Sequence, residues 1–262
     1  MEEYAKESPA APPGFFAAEA AGLAWLAAPA AVPVVGVLDV REDRLLLERL
    51  ESVPPTAAAA RAFGRGLAAL HAAGAEAFGA APSERLWFGP LDAPFEVSVA
   101  HRGDFRTYWA QDRLAPLAAA TADALDAAGR RAVEEALAAV RAGAFDGIAG
   151  GPAEAPSRVH GDLWAGNVLF AAGGATLIDP SAHGGHRLED LALLALFGAP
   201  HLEEIFAGYE AAAGLPSGWR QDLPAHLFFA LLAHVRLFGG GYARQAVRTA
   251  EAIVARARAL GF

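Results

Sequence analysis

VHGDLWAGNVLF, residues 159–170, and the AAGGATLIDP that follows it, residues 171–180, decide how this chain is read. Val168-Leu169-Phe170 and Thr176-Leu177-Ile178 are short β-prone runs separated by alanine and paired glycines, the pattern of a hairpin. Asn167 precedes the first run and Asp179 follows the second. Antiparallel pairing therefore predicts them side by side, with backbones roughly 5 Å apart. Asp162 stands on the loop that enters the hairpin, so two carboxylates and an amide converge on one small volume.

Carboxylates crowded in this way repel unless one is protonated or a cation sits between them. Asn167 and Asp179 offer hard oxygen donors that suit Mg2+, a cation that otherwise keeps water and phosphate oxygens. Asp162 is left free to accept a proton from a hydroxyl. The order H-x-D-x4-N, with a further Asp beyond a hairpin, is the arrangement used in phosphoryl transfer. Asp162 is thus the expected catalytic base, with Asn167 and Asp179 the expected metal ligands. The bland alternative is an Asx-capped loop whose polar groups satisfy backbone. His160 is expected to brace the loop rather than act as a base.

Toward the N-terminus, Lys6 is the single lysine beside twenty arginines. Genomic bias toward Arg and Ala codons accounts for the ratio but not for where the one lysine stands. FFAAEAAGLAWLA, from Phe15, places Phe16, Ala20, Leu23 and Leu26 at helical spacing, and Glu19 falls on or beside that inward stripe. A carboxylate there is costly unless paired. Lys6 paired with Glu19 would supply the lysine–glutamate grip on nucleotide phosphates; the alternative is a solvated lysine and a solvated glutamate. Glu48 and Leu50, where a strand runs toward a linker, are candidates for backbone contacts to an adenine.

Composition narrows the field. The net charge of −9 argues against nucleic acid as the main partner. The absence of cysteine excludes disulfides, zinc thiolates and thiol nucleophiles. MEEYAKESPA is unlike a secretory signal, and prolines break the apolar run AWLAAPAAVPVVGVL. A soluble, cytoplasmic protein without a membrane span is expected, its oligomeric state open.

Along the chain, VPVVGVLDV and DRLLLERLE read as strands joined by a turn at 41–43. SVPPT, residues 52–56, is a break, and Thr56 is a plausible N-cap for the helix that follows. Residues 75–96 read as a long loop and 116–143 as one alanine-rich amphipathic stretch. Helices are expected from 190 to 198, buried from 226 to 238, and over the tail. The organisation is α+β: a small β-containing lobe, residues 1–53, with its hinge near 48–53, and a mostly helical lobe, residues 54–262.

Together HGDLWAGN (160–167) and IDPSAHGGHRLEDLALLALFG (178–198) resemble the fructosamine kinase, or ketosamine-3-kinase, family of the protein-kinase-like fold. LAALH (67–71), Arg113-Leu114 and LLAHVRLFGGGY (231–242) extend the resemblance, and Trp164 is its most specific mark. The resemblance implies ATP- and Mg2+-dependent phosphorylation of the sugar O3 of a ketosamine, free or protein-bound. It implies Asp162 as base, Asn167 and Asp179 on Mg2+, and Lys6 and Glu19 on the phosphates. Trp164 would wall the sugar, face the amine, or pack beneath the loop. His160, His183 and His186 are candidates for substrate-facing or structural roles, since Mg2+ prefers oxygen to imidazole. Asp190 would cap its helix or brace the catalytic loop, with the structural role favoured.

Members of the family carry two strands and a Gly-rich loop before the lysine. That loop is absent from this sequence: either the start codon is misplaced or the small lobe is cut down, and a truncated small lobe is the expectation. Kinases for other hydroxylated amines, of aminoglycoside or choline type, and a nucleotide-binding pseudokinase are the alternatives.

Overall fold

The computed structural model describes residues 2–262. Strands β1 (Glu3–Glu7), β2 (Val37–Val40) and β3 (Arg44–Glu48) form an antiparallel sheet in the order β1-β3-β2. Lys6 lies within β1 directly opposite Leu45. Paired residues share a sheet face, and Leu45 is fully buried, so the lysine is turned under the sheet. Beneath it runs α1 (Phe15–Ala27), whose buried stripe of Phe16, Glu19, Leu23 and Leu26 has the expected helical spacing. Gly22 lets α1 settle on the segment after the hairpin: an added Cβ would meet Ala182 at 3.2 Å and Pro180 at 3.4 Å.

The hairpin forms as expected from β7 (Val168–Ala171) and β8 (Gly174–Leu177), with Val168 opposite Leu177. Both its strands are tied to the N-terminal part of the chain. Val35 N donates to Leu177 O at 3.0 Å, Leu177 N to Pro33 O at 2.9 Å, and Val53 N to Phe170 O at 2.7 Å. The sheet and the hairpin are thus fixed to one another through backbone.

Thr56 caps α2 (Ala57–Ala72), its hydroxyl accepting from Ala59 N at 3.2 Å. The stretch expected to be a long loop instead carries β4 (Leu86–Phe88), paired with β5 (Phe95–Val97). Three-residue strands are too short for an alternating pattern to show, and burial of Leu86, Phe88, Phe95 and Val97 stabilises them. A short α3 (Phe105–Thr107) runs into a π-helical stretch, Tyr108–Leu114, and then α4 (Ala115–Ala120).

The alanine-rich stretch is not continuous, because polar residues compete with its backbone. Thr121 Oγ1 donates back to Leu117 O at 2.8 Å, and Asp126 accepts from Gly129 N at 2.7 Å as N-cap of α5 (Ala127–Arg141). Next, β6 (Ser157–Val159) pairs with β9 (His183–Gly185) on either side of the hairpin sequence. Four helices complete the chain: α6 (Leu188–Phe197), α7 (Leu202–Ala213), α8 (Leu223–Phe238) and α9 (Ala243–Ala259).

The segment Trp219–Gly241 is long and apolar enough to cross a membrane by composition. Its packing explains that composition: Phe228, Leu231 and Leu232 of α8 are fully buried in the lobe core with residues of α5 and α9. Leu177, fully buried where hairpin and small lobe meet, supports both. Leu177→Ala should cost about 2–5 kcal/mol, seen as a lower urea midpoint at an unchanged denaturation slope.

Candidate active site

The hairpin register leaves Asn167 opposite Ile178, whose N donates to Asn167 O at 3.2 Å, and Asp179 one step beyond. Asn167 Nδ2 donates to Asp162 O at 2.8 Å, to Asp162 Oδ2 at 3.2 Å and to Asp179 O at 3.3 Å. One amide thereby holds the two carboxylate-bearing segments together, and its Oδ1 is free for a ligand. Asp179 adopts a left-handed backbone, φ 53°, which an aspartate tolerates better than most residues. Asp162, Asn167 and Asp179 line a single open cavity of about 530 Å3, together with Lys6, Glu19 and Trp164.

Lys6 Nζ sits 2.8 Å from both Glu19 oxygens and 3.1 Å from Asp179 Oδ1. Burial works to lower the lysine pKa, but Glu19 and Asp179 outweigh it and hold the ammonium above its ordinary value. Burial raises Glu19 in turn, against the pull of Lys6. Asp162 is pushed up to about 7 by burial first and by the charge of Asp179 second, with the Asn167 hydrogen bond acting the other way. Such a carboxylate can exchange a proton near neutral pH.

The donor set also fits a metal. A half-exposed Asp179 carboxylate and the Asn167 oxygen face the cavity, hard donors appropriate to Mg2+. Among the described residues no group of three or more His, Cys, Asp or Glu is placed to hold a metal, as a softer transition metal would need.

The loop bearing Asp162 is anchored from behind. Asp190, fully buried on α6, accepts from His160 N at 2.8 Å and Gly161 N at 2.9 Å, and pairs with His71 Nε2 at 3.0 Å. Burial would raise Asp190, but its hydrogen bonds and charge interaction with His71 and His160 leave it below the usual carboxylate range. Tyr209 lies 2.7 Å from the other His71 nitrogen. Gly161, at φ 80°, has no room for a side chain, since a Cβ would run into Ser181 O.

Comparison with known proteins now bears on the site. The fructosamine kinase family model matches residues 4–256. The chain belongs to the fructosamine kinase family. A Thermus thermophilus protein assigned as a ketoamine kinase is 36% identical over 231 residues, covering 88% of this chain and 79% of its own. A solved chain from Thermobifida fusca, assigned as a fructosamine-3-kinase, superposes with a TM-score of 0.86 at 42% identity. It covers 97% of this chain and 85% of its own. A choline/ethanolamine kinase family protein from Mesorhizobium loti matches with a TM-score of 0.59 at 16% identity, over 99% of this chain and 86% of its own. That likeness speaks to the fold alone, which is protein-kinase-like. As a member of this family, the chain is an ATP-dependent phosphotransferase acting on a hydroxyl group.

Not every candidate residue reaches the cavity. Trp164 does, more than a third exposed and edge-on to Phe197 at 6.0 Å. His160 does not: it is fully buried, donating from Nε2 to Ile178 O at 2.8 Å and accepting from Asp162 N at 3.2 Å. It clamps the two carboxylate segments, the bracing role expected of it. His183 and His186 are likewise buried away from the cavity, so substrate contact by either is excluded in this structure. His183 bonds Ser181 O and Glu189, and His186 stacks on His226 at 4.2 Å. Buried Ala182 before the HGGH segment and Leu188 after it draw the segment inward. Glu48 and Leu50 also lie off this cavity: Glu48 pairs with Gly36 through backbone, and Leu50 packs on the small-lobe core.

The structure adds residues to which no role had been assigned, four of them within LLAHVRLFGGGY. Phe197, His234, Leu237, Phe238 and Tyr242 form an aromatic-rich part of the cavity wall. They come from α6 and from α8 with the turn after it. The cluster of aromatics around GGG at 239–241 was the available signal.

Two outcomes follow for the scaffold. Asp190→Ala leaves two buried backbone N–H groups without acceptors, a loss of about 1–3 kcal/mol for each. The thermal midpoint and phosphoryl transfer should both fall. His226 behaves differently, because burial lowers it from 6.5 to about 3. Around it stand His186, and across a small chamber Arg113, His183 and Glu189. Between those pH values the unfolded chain binds a proton that the folded one refuses. Its contribution to stability therefore falls as pH drops from about 6.5 toward 3, by about 1.4 kcal/mol per pH unit. His226→Phe should flatten the pH dependence of urea unfolding between pH 6 and 5 by about one proton (the window where few carboxylates titrate).

Proposed function

We propose that the chain transfers the γ-phosphoryl group of ATP to the sugar O3 of ketosamines, free or protein-bound. The observation that carries this reading is the meeting of Asp162, Asn167, Asp179 and the Lys6–Glu19 pair in one cavity. The names of the family and of the Thermus and Thermobifida relatives support the substrate class.

Asp162 accepts the proton of the acceptor hydroxyl. The alcohol oxygen attacks the γ-phosphorus in line, and the bond to the β-phosphate oxygen breaks to leave ADP. Lys6, held by Glu19, meets phosphate oxygens. Mg2+ bound by Asn167 and Asp179 would neutralise phosphate charge. Trp164 walls the sugar, and the aromatic end of the cavity suits an amine-bearing cation. Residues 1–53 serve as the nucleotide lobe, with the base toward the chain at Glu48 and Leu50, and residues 54–262 carry the acceptor. ATP as donor fits work in the cytoplasm.

Asp162→Asn should lower kcat by about 10²–10⁴-fold. Its melting temperature should hold or rise, since a carboxylate facing Asp179 is removed. ADP release measured with fructosyl-lysine and ribulosyl-lysine against choline and an aminoglycoside tests the acceptor. Turnover of the latter pair alone would overturn the ketosamine reading.

A further inference from the structure

Arg113 stands on the π-helical stretch and is only 2% exposed. A π-helix brings residues five apart into line, and here Arg113 Nε donates to Tyr108 Oη at 2.9 Å. Nη1 donates to Ser98 O at 2.7 Å, and the guanidinium lies 5.0 Å from the centre of the Tyr108 ring. Among the described residues Nη2 has no hydrogen-bond partner. A guanidinium cannot shed its charge, so a buried one needs every donor met.

Arg113 forms part of the wall of a small chamber of about 20 Å3 behind the catalytic loop. His226, His183, Glu189 and the segments at Gly161 and Ser181 also line it. Both ring nitrogens of His226 lack a partner among the described residues. Two side chains of this wall, each more than nine-tenths buried, thus carry three nitrogens without a partner among the described residues. Its size matches one water molecule, which needs at least about 10–15 Å3 and two to four polar partners. Glu189 on the wall disfavours an anion, and Arg113 disfavours a cation. A water can accept from Arg113 and from His226 while donating toward the carboxylate.

We propose that this chamber is a single-water site held by Arg113 Nη2 and a ring nitrogen of His226, and that through it Arg113 is a positioning residue for the catalytic loop. Gly161 immediately precedes Asp162, and Ser181 follows Asp179 by one residue, Pro180. The filled chamber therefore backs both carboxylate-bearing segments. Its kinetic consequence rests on the phosphotransfer reading above, but the site itself does not.

A high-resolution crystal structure of the full chain, with a parallel bromide soak, tests the site. One solvent peak within hydrogen-bond distance of Arg113 and His226, without bromide anomalous signal, is expected. A dry or collapsed chamber, or a bromide peak, overturns it. In a folded Arg113→Met protein the peak should vanish and kcat should fall about tenfold, with the KM for ATP within about twofold. Unchanged kcat overturns the positioning role. Should Arg113→Met fail to fold, His226→Phe is read by the same two measurements. A water found in a protein inactive on ketosamines would retain the site and refute only the substrate assignment.

Discussion

The structure turns on a charge problem at the cleft. Asp162, Asp179 and Glu19 are gathered at one cavity, and a single ammonium, Lys6, lies between two of them. Lys6 compensates Glu19 at short range and Asp179 more weakly, leaving Asp162 with no cation of its own and a proton affinity near neutrality. The uneven distribution separates the roles: Glu19 and Asp179 share the lysine, while Asp162, buried and without it, can exchange a proton near neutral pH.

Such an arrangement holds only if the backbone cannot relax away from it. Four buried residues prevent that. Asp190 fixes the N–H groups of His160 and Gly161, His71 and Tyr209 extend the network, and His160 joins the Asp162 segment to Ile178. Satisfied buried polar groups of this kind set position more sharply than apolar packing does. The strain at Asp179, with its positive φ, is absorbed by the same framework.

Much of this was legible in the chain because the informative residues are local. HGDLWAGN and the Asp after the hairpin lie within twenty residues, and a hairpin has few alternative registers. Glu19 was legible because a carboxylate on a buried stripe demands a partner, and only one lysine could answer. The aromatic end of the cavity was not, since Phe197 of α6 meets His234, Phe238 and Tyr242 only through packing, and the i, i+4, i+8 spacing of those three reads equally as a buried helix face. The two histidines of HGGH, open in the sequence to a substrate-facing or a structural role, are both buried by the elements around them. The β4–β5 pair escaped notice because three-residue strands span barely more than one period of alternation.

The solitary lysine has a consequence of its own. Reducing sugars condense with exposed, unprotonated amines. Lys6 is buried to 12% side-chain exposure, locked between carboxylates and held in its protonated form. The remaining basic side chains are arginines and histidines. If its task is to relieve other molecules of sugar adducts, the enzyme works in the same sugar-laden solution while presenting no reactive lysine for that damage to reach.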